Sequence, residues 1–336
     1  MGNIMRFEGY EVIVQYFDIE KKNNIEVHMQ EKKSPRFCLF CGQDESKVKF
    51  TKIAHAVSET IGNKSLFSDY ECNNCNSRFG EYFEDSLGKY LLPYKIVSQV
   101  YGKKNHLIAR DKPKDDNVSY DSYQIQINKN VEVLPEIPTK GLIIENPNAN
   151  ILTMTEDGFK LHIPRQGYNP ELVYDAFLKM AYSILPLELY PNYVKRFLLL
   201  RELSLKESEV LNEEEKESYK KSLPNCGIIS FKPGVNAYNG VNIYMFKKTK
   251  KIEKYPEIIF CLEMKNFSFA IPVLADEEEG KFVMPPIKLD DGSERCGVVD
   301  YHKEEPFFEC EFKADKIPLE NKSQLEKVLR AHSLLK

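Results

Sequence analysis

The sequence predicts an α+β chain in two parts, and three observations carry that reading. The chain has 336 residues, which is long for one hydrophobic core and natural for two. Two Cys-x-x-Cys pairs, Cys38/Cys41 and Cys72/Cys75, mark a compact N-terminal unit. Beyond a charged, proline-containing stretch without periodicity (103–119), strand-like and helix-like segments alternate to the end. These mark an N-terminal domain over 1–105 with its core motif at 36–92, a linker over 106–119, and a larger mixed α/β domain of unknown fold over 120–336.

In chain order, YEVIVQYF and NIEVHM read as two short strands around the polar DIEKKNN segment. KVKFTKIAHAV and SLFSDYEC read as short extended stretches joined by a GNK turn. NSRFGEYFEDSLGKYL reads as a helix, because Phe79, Phe83, Leu87 and Tyr90 recur at helical spacing. Past the linker, YQIQI, VEVL, GLIIE, NILTM and FKLHI read as strands. NPELVYDAFLKMAYSILP reads as a helix with Asn169 as N-cap, Pro170 in its first turn and Pro186 beyond its end. Its stripe of Phe177, Met180, Ala181 and Ile184 reads as core. Two helical pieces follow, in YPNYVKRFLLLREL and LNEEEKESYKKSL. Strands return in GIISF, VNIYMF, PEIIFCLEM, FSFAIPVL and FFECEF, and NKSQLEKVLRAHSLLK reads as a closing helix.

Composition narrows the function without naming it. The net charge of −4 gives no global basic field, so any contact with nucleic acid must come from a local site. No apolar run approaches the ~20 residues of a membrane helix, and no signal pattern opens the chain, so no membrane partner and a cytoplasmic location are expected. In a reducing compartment the paired cysteines read as metal ligands and not as disulfides. The scattered Cys226, Cys261, Cys296 and Cys310 are expected to be buried free thiols.

The doubled Cys-x-x-Cys is the strongest signal. A two-residue spacer curls the backbone into a knuckle that offers two thiolates to one ion. Four thiolates close a tetrahedral Zn²⁺ site with no open position, so this zinc is expected to be structural. Thirty residues separate Cys41 from Cys72, and they hold one histidine, His55. The other histidines, His28, His106, His162, His302 and His332, have no comparable surroundings.

Read as CLFC, HAVSE, CNNCN and FG, this segment resembles the HNH (ββα-metal, His-Me finger) endonucleases, in particular the subgroup with four zinc cysteines. Phage junction-resolving endonucleases share the layout of cysteines, central histidine and Asn after the last cysteine. The resemblance covers roughly residues 36 to 92. It implies metal-dependent hydrolysis of phosphodiester bonds in DNA, with RNA also open. His55 would be the general base, and Asn76, at the helix start, would place a catalytic Mg²⁺ (or Mn²⁺) against the scissile phosphate. Two departures stand out. Many family members carry Asp or His just before the histidine as a metal ligand, where this chain has Ala54. The bracing Asn of the family usually lies shortly before the second cysteine pair, where the nearest polar residues are Ser68 and Asp69. Asp69 can brace or supply a carboxylate, and Glu59, in the Glu position of the family's His-Ile-Ile-Pro-Glu pattern, is a second candidate ligand. Glu84 lies eight residues after Asn76 on the same helix. At ~1.5 Å rise the two Cα atoms are ~12 Å apart, so Glu84 is expected to orient a neighbour or to be surface. Gly80 is either a tolerated helix glycine or a point of close approach by a phosphate strand.

Two function classes follow. One is an HNH endonuclease, with restriction or anti-phage defence as the family-level analogy for a chain that adds an unfamiliar domain. The other is a catalytically inactive zinc-binding module for nucleic acid or protein, which Ala54 favours. The larger domain is expected to recognise a target, sense a signal, or mediate assembly as a homo-oligomer or with a protein partner.

Overall fold

The computed structural model describes residues 6–20, 27–28, 34–98, 100, 108–110, 124–134, 137–145, 152–156, 158–205, 211–232, 238, 240–249, 252, 254–278, 282–288 and 295–313. The closing helix expected over 321–336 and most of the linker over 106–119 fall outside them.

Helices and strands are mixed, with the two cysteine pairs in a segment near the N-terminus and a larger sheet-rich region after it. The principal sheet has six antiparallel strands in the spatial order Arg295–Asp300, Cys226–Phe231, Phe267–Val273, Ile258–Met264, Val241–Lys248 and Tyr10–Tyr16. The strand Arg295–Asp300 has no counterpart in the sequence reading. Its Gly and charged residues dilute the alternation that marks the other strands. The segments YQIQI and VEVL form one strand, Gln124–Leu134, paired with Ile137–Glu145 through two register shifts.

The two N-terminal strands part company. Tyr10–Tyr16 is an edge of the six-stranded sheet, whereas Val27–His28 runs parallel to Leu66–Phe67 in a small three-stranded sheet. The extended stretch expected over 47–57 contracts to the strand Ala54–His55, antiparallel to Leu66–Ser68. The preceding residues bond elsewhere: Asn73 N donates to Lys49 O (2.8 Å), and Lys52 N donates to Asn73 Oδ1 (3.0 Å). The order strand, loop, strand, helix is as the sequence predicts.

Helix α1 spans Asn73–Val97 and is longer than its apolar stripe suggests at both ends. Cys72 is its N-cap, with Sγ accepting from Cys75 N, so the second cysteine knuckle starts the helix three residues early. Phe79, Phe83, Leu87 and Tyr90 are buried as expected. Helix α2 spans Pro170–Ser183, and the Asn169 carboxamide accepts from Glu171 N (3.0 Å) and Leu172 N (3.4 Å). Every residue from Val173 to Ser183 is buried, including Asp175 and Lys179, so α2 is a central helix and not a surface one. Helix α3 (Val194–Leu203) is capped from a distance: both Asp276 oxygens accept from its first turn, from Lys195 N and Arg196 N. Helix α4 (Glu213–Ser222) starts with a reciprocal Asn212/Glu215 capping box.

One hydrophobic cluster runs from Ile19 to Cys310 and takes in residues of both halves of the sequence. Phe40, in the first cysteine knuckle, touches Phe79 of α1 and Phe197 of α3, with ring centroids 4.7 and 5.2 Å away. Tyr94 of α1 meets Phe267, Phe269 and Phe308 edge-on, at 5.0, 5.0 and 4.9 Å. The buried side chain of Arg165 lies over Tyr90 and Tyr94 and donates to Tyr90 O (2.7 Å) and Tyr94 OH (2.9 Å). The α1 stripe therefore packs on the six-stranded sheet and α2.

The scattered cysteines are not uniformly buried. Cys261 and Cys310 are buried, but Cys226 is half-buried and Cys296 is exposed on the edge strand Arg295–Asp300. None of the eight cysteines forms a disulfide.

Candidate active site and metal centre

The two cysteine knuckles face each other. Gly42 N donates to Cys38 O (2.8 Å) and Cys38 N to Gln43 O (2.8 Å), which closes the first turn. The second knuckle is the first turn of α1. The four Sγ atoms lie within 4.8 Å of one another, and Cys41 and Cys72 are 4.0 Å apart. A tetrahedron with Zn–S bonds of ~2.3 Å has edges of ~3.8 Å, so the donor set fits a zinc ion. Backbone amides support the thiolates: Cys72 N points at Cys38 Sγ (3.4 Å) and Cys75 N at Cys72 Sγ (3.5 Å). Among the described residues this is the only cluster of three or more Cys, His, Asp or Glu side chains suited to a metal.

His55 stands at the end of its two-residue strand, with a side chain 27% exposed. Its ring packs on Phe67, with centroids 4.8 Å apart. Nε2 is 3.5 Å from Glu59 Oε1, one helical turn later. Ser58, Glu59–Ile61 and Gly62 form a tight 3₁₀ turn in which Ser58 Oγ accepts from Thr60 N. Gly62 ends it with φ at +95°, a conformation open to glycine at no steric cost. Ser58 Oγ also donates to Glu84 Oε1 (2.8 Å).

A cleft of about 220 Å³ opens beside the ring. It is lined by His55, Ser58 and Glu59 from the loop, Asn76, Gly80 and Glu84 from α1, and Lys179 from α2, among others. The cleft thus brings together His55, Glu59 and Asn76. Asp69 is not among its lining residues. Glu84 does line it, with one oxygen engaged by Ser58. Ala54 is fully buried and offers no ligand atom.

Asn63 was not legible as a site residue. It is buried, and its Nδ2 donates to Val57 O (2.6 Å) and Leu66 O (2.8 Å), while Oδ1 accepts from Ser65 N (3.2 Å) and Leu66 N (2.9 Å). One side chain thus braces the loop between the two strands, a role the sequence reading offered to Asp69. Nδ2 also comes within 3.4 Å of His55 Nδ1. Its two hydrogens are already committed to shorter bonds, so this contact is packing and not a third bond. The available signal was the Gly-Asn dipeptide in the turn. Lys179 and Glu71, which form a buried pair beneath His55, carried no signal of function.

Residues 38–92 match the family model of the HNH endonucleases. The match covers about a sixth of the chain. No curated protein and no solved structure matches. Among the described residues, no helix is long and apolar enough to cross a membrane.

Proposed function

We propose that this protein is a metal-dependent DNA endonuclease that hydrolyses phosphodiester bonds at the cleft beside His55. The observation that supports this most is the convergence of His55, Glu59 and Asn76 on one cleft, next to a four-cysteine centre and within the HNH-matching segment.

His55 is the general base. Its partly exposed imidazole can take the proton of a water attacking phosphorus, and Glu59, 3.5 Å from Nε2, steadies the imidazolium that results. Of the three candidate ligands for a second ion, Glu59 and Asn76 are assigned because they line the cleft, and Asp69 is not. An Mg²⁺ or Mn²⁺ ion held there would neutralise charge on the leaving oxygen. Glu84, anchored by Ser58, adds negative charge to the same wall. Cys38, Cys41, Cys72 and Cys75 would hold a zinc ion that takes no part in the chemistry and would keep α1 docked beneath the histidine loop. A setting in restriction or anti-phage defence rests on family-level analogy. The competing reading, an inactive zinc-binding interaction module, draws on the buried Ala54 where family members carry a ligand.

A plasmid-nicking assay separates the two. Nicking is expected with Mg²⁺ or Mn²⁺ and not with EDTA, at one zinc per chain. His55→Ala is expected to fold, to keep its zinc and to lose about 10²–10⁴-fold in rate. A wild-type protein with its zinc in place that cuts under none of these conditions favours the interaction module.

A further inference from the structure

The buried pair beneath His55 has a geometry that the cleft alone does not explain. Lys179 lies on α2, in the larger C-terminal part, and its side chain is 8% exposed. Its ammonium is 2.8 Å from Glu71 Oε2, on a carboxylate with no exposure, and it donates to the main-chain carbonyl of His55 at 3.0 Å. Glu71 directly precedes the metal-binding Cys72. One cation therefore touches the strand that carries the histidine, the segment that carries the metal knuckle, and α2.

His55 needs such a hold. Its strand is two residues long and is paired on one side, with Leu66–Ser68. Asn63 fixes the loop that follows but makes no hydrogen bond of its own to the ring, because its hydrogens serve Val57 and Leu66. The His55 carbonyl is held by Lys179, and the peptide plane to which it belongs sets the direction in which the imidazole leaves the main chain. Ala176 and Met180 flank Lys179 on the same wall of the cleft.

We infer that Lys179 is a positioning residue for the reaction at His55, so that α2 completes the nuclease centre; this rests on His55 being the base. A misplacement of about 1 Å at a reacting group can cost up to about 10²-fold in rate, so the effect should fall on turnover and not on substrate binding.

The test uses the full chain and two variants that keep the burial balanced. Lys179→Met alone would strand the Glu71 charge. The double variant Lys179→Met/Glu71→Gln removes both charges at similar shape. Lys179→Arg keeps the cation opposite Glu71 but replaces a point donor with a longer planar one. Each is checked for one zinc per chain and a cooperative melt. The readouts are kcat and KM for plasmid nicking, and NMR of the histidine rings, with the His55 signal identified by its loss in His55→Ala. In both variants kcat is expected to fall about tenfold or more with KM within about twofold. The His55 ring signal is expected to shift or broaden while those of His162 and His302 stay in place. If the double variant fails to fold, Lys179→Arg decides. A folded variant with an unmoved His55 signal and wild-type kcat overturns the proposal. If the wild type itself, with its zinc in place, cuts nothing, the nuclease reading falls and this proposal with it, and a His55 signal that still shifts in the variants shows only that Lys179 holds the ring.

Discussion

Gly80 shows how a single residue can separate stability from chemistry. It sits inside α1, one turn after Asn76, where glycine costs about 0.5–1 kcal/mol relative to alanine. A Cβ built there meets nothing within 4 Å, and the residue lines the cleft. Packing therefore does not demand the glycine. Gly80→Ala is expected to stabilise the protein by about 0.5–1 kcal/mol in urea unfolding. It is also expected to slow nicking about tenfold or more, because the methyl group enters space that a phosphate strand would use. A stabilised variant that cuts at the wild-type rate would mark Gly80 as a tolerated helix glycine. At this scale the sequence was most legible where spacing carries chemistry. The four cysteines and His55 stand out because two-residue knuckles and a lone histidine between them are rare by chance, whereas Asn76 stands out only through the family resemblance. Asn63 was not legible because its role is to satisfy four main-chain groups of a folded loop, and nothing in a linear sequence counts those groups. Lys179 and Asp175, spaced i,i+4 in an apolar helix, look like an ordinary surface pair, yet both are buried and Lys179 pairs with Glu71.

Helix α2 is the element whose environment departs most from its sequence. Its apolar stripe was legible, but the helix is buried all round, and it carries Asp175 into the core with it. Burial pushes the Asp175 carboxyl up to about 7; Lys220 pulls it back and Glu171 adds to the rise. The folded state therefore holds this proton where an unfolded chain has released it. The stability it contributes is fully present below the ordinary carboxylate range and is lost as pH rises through about 7. At pH 8 the ionised carboxylate should cost the fold on the order of 2–4 kcal/mol. Asp175→Asn removes that charge. The stability gap between variant and wild type, by urea unfolding, is expected to be near zero at pH 4 and to open in favour of the variant toward pH 8. A gap that does not change with pH would mean that the Asp175 carboxyl titrates alike in the folded and the unfolded chain. Helix α1 teaches a related lesson. Its stripe gave the helix and its buried face, but its start at Asn73 depends on Cys72 Sγ as the cap, and a cap provided by a thiol lies outside ordinary capping rules.

At the scale of the whole molecule, the charged stretch at 103–119 divides the sequence but the core crosses it. Tyr10–Tyr16 extends the sheet built from residues 226–300, and its register with Val241–Lys248 runs from Tyr10↔Lys248 to Tyr16↔Ile243. The aromatic face of α1 rests on Phe267, Phe269, Tyr301 and Phe308, and Phe40 of the first knuckle rests on Phe197. Local patterning showed each of these faces as apolar; it could not show that they meet, because such pairings join residues more than a hundred apart. Separating residues 1–105 would expose all of them to water at about 25 cal/mol per Å² of apolar surface, and would remove the Lys179 wall from the cleft. The zinc knuckles can close locally, so the fragment should still bind one zinc ion. It is expected to lack a cooperative thermal transition by circular dichroism, to associate through the stripped α1 face, and to nick no plasmid under conditions where the full chain does. A monomeric 1–105 fragment that melts cooperatively and cuts at the full-chain rate would show that the larger region packs on a self-sufficient nuclease. The contacts from Phe40, Tyr94 and Lys179 argue instead that the two parts fold and act as one body.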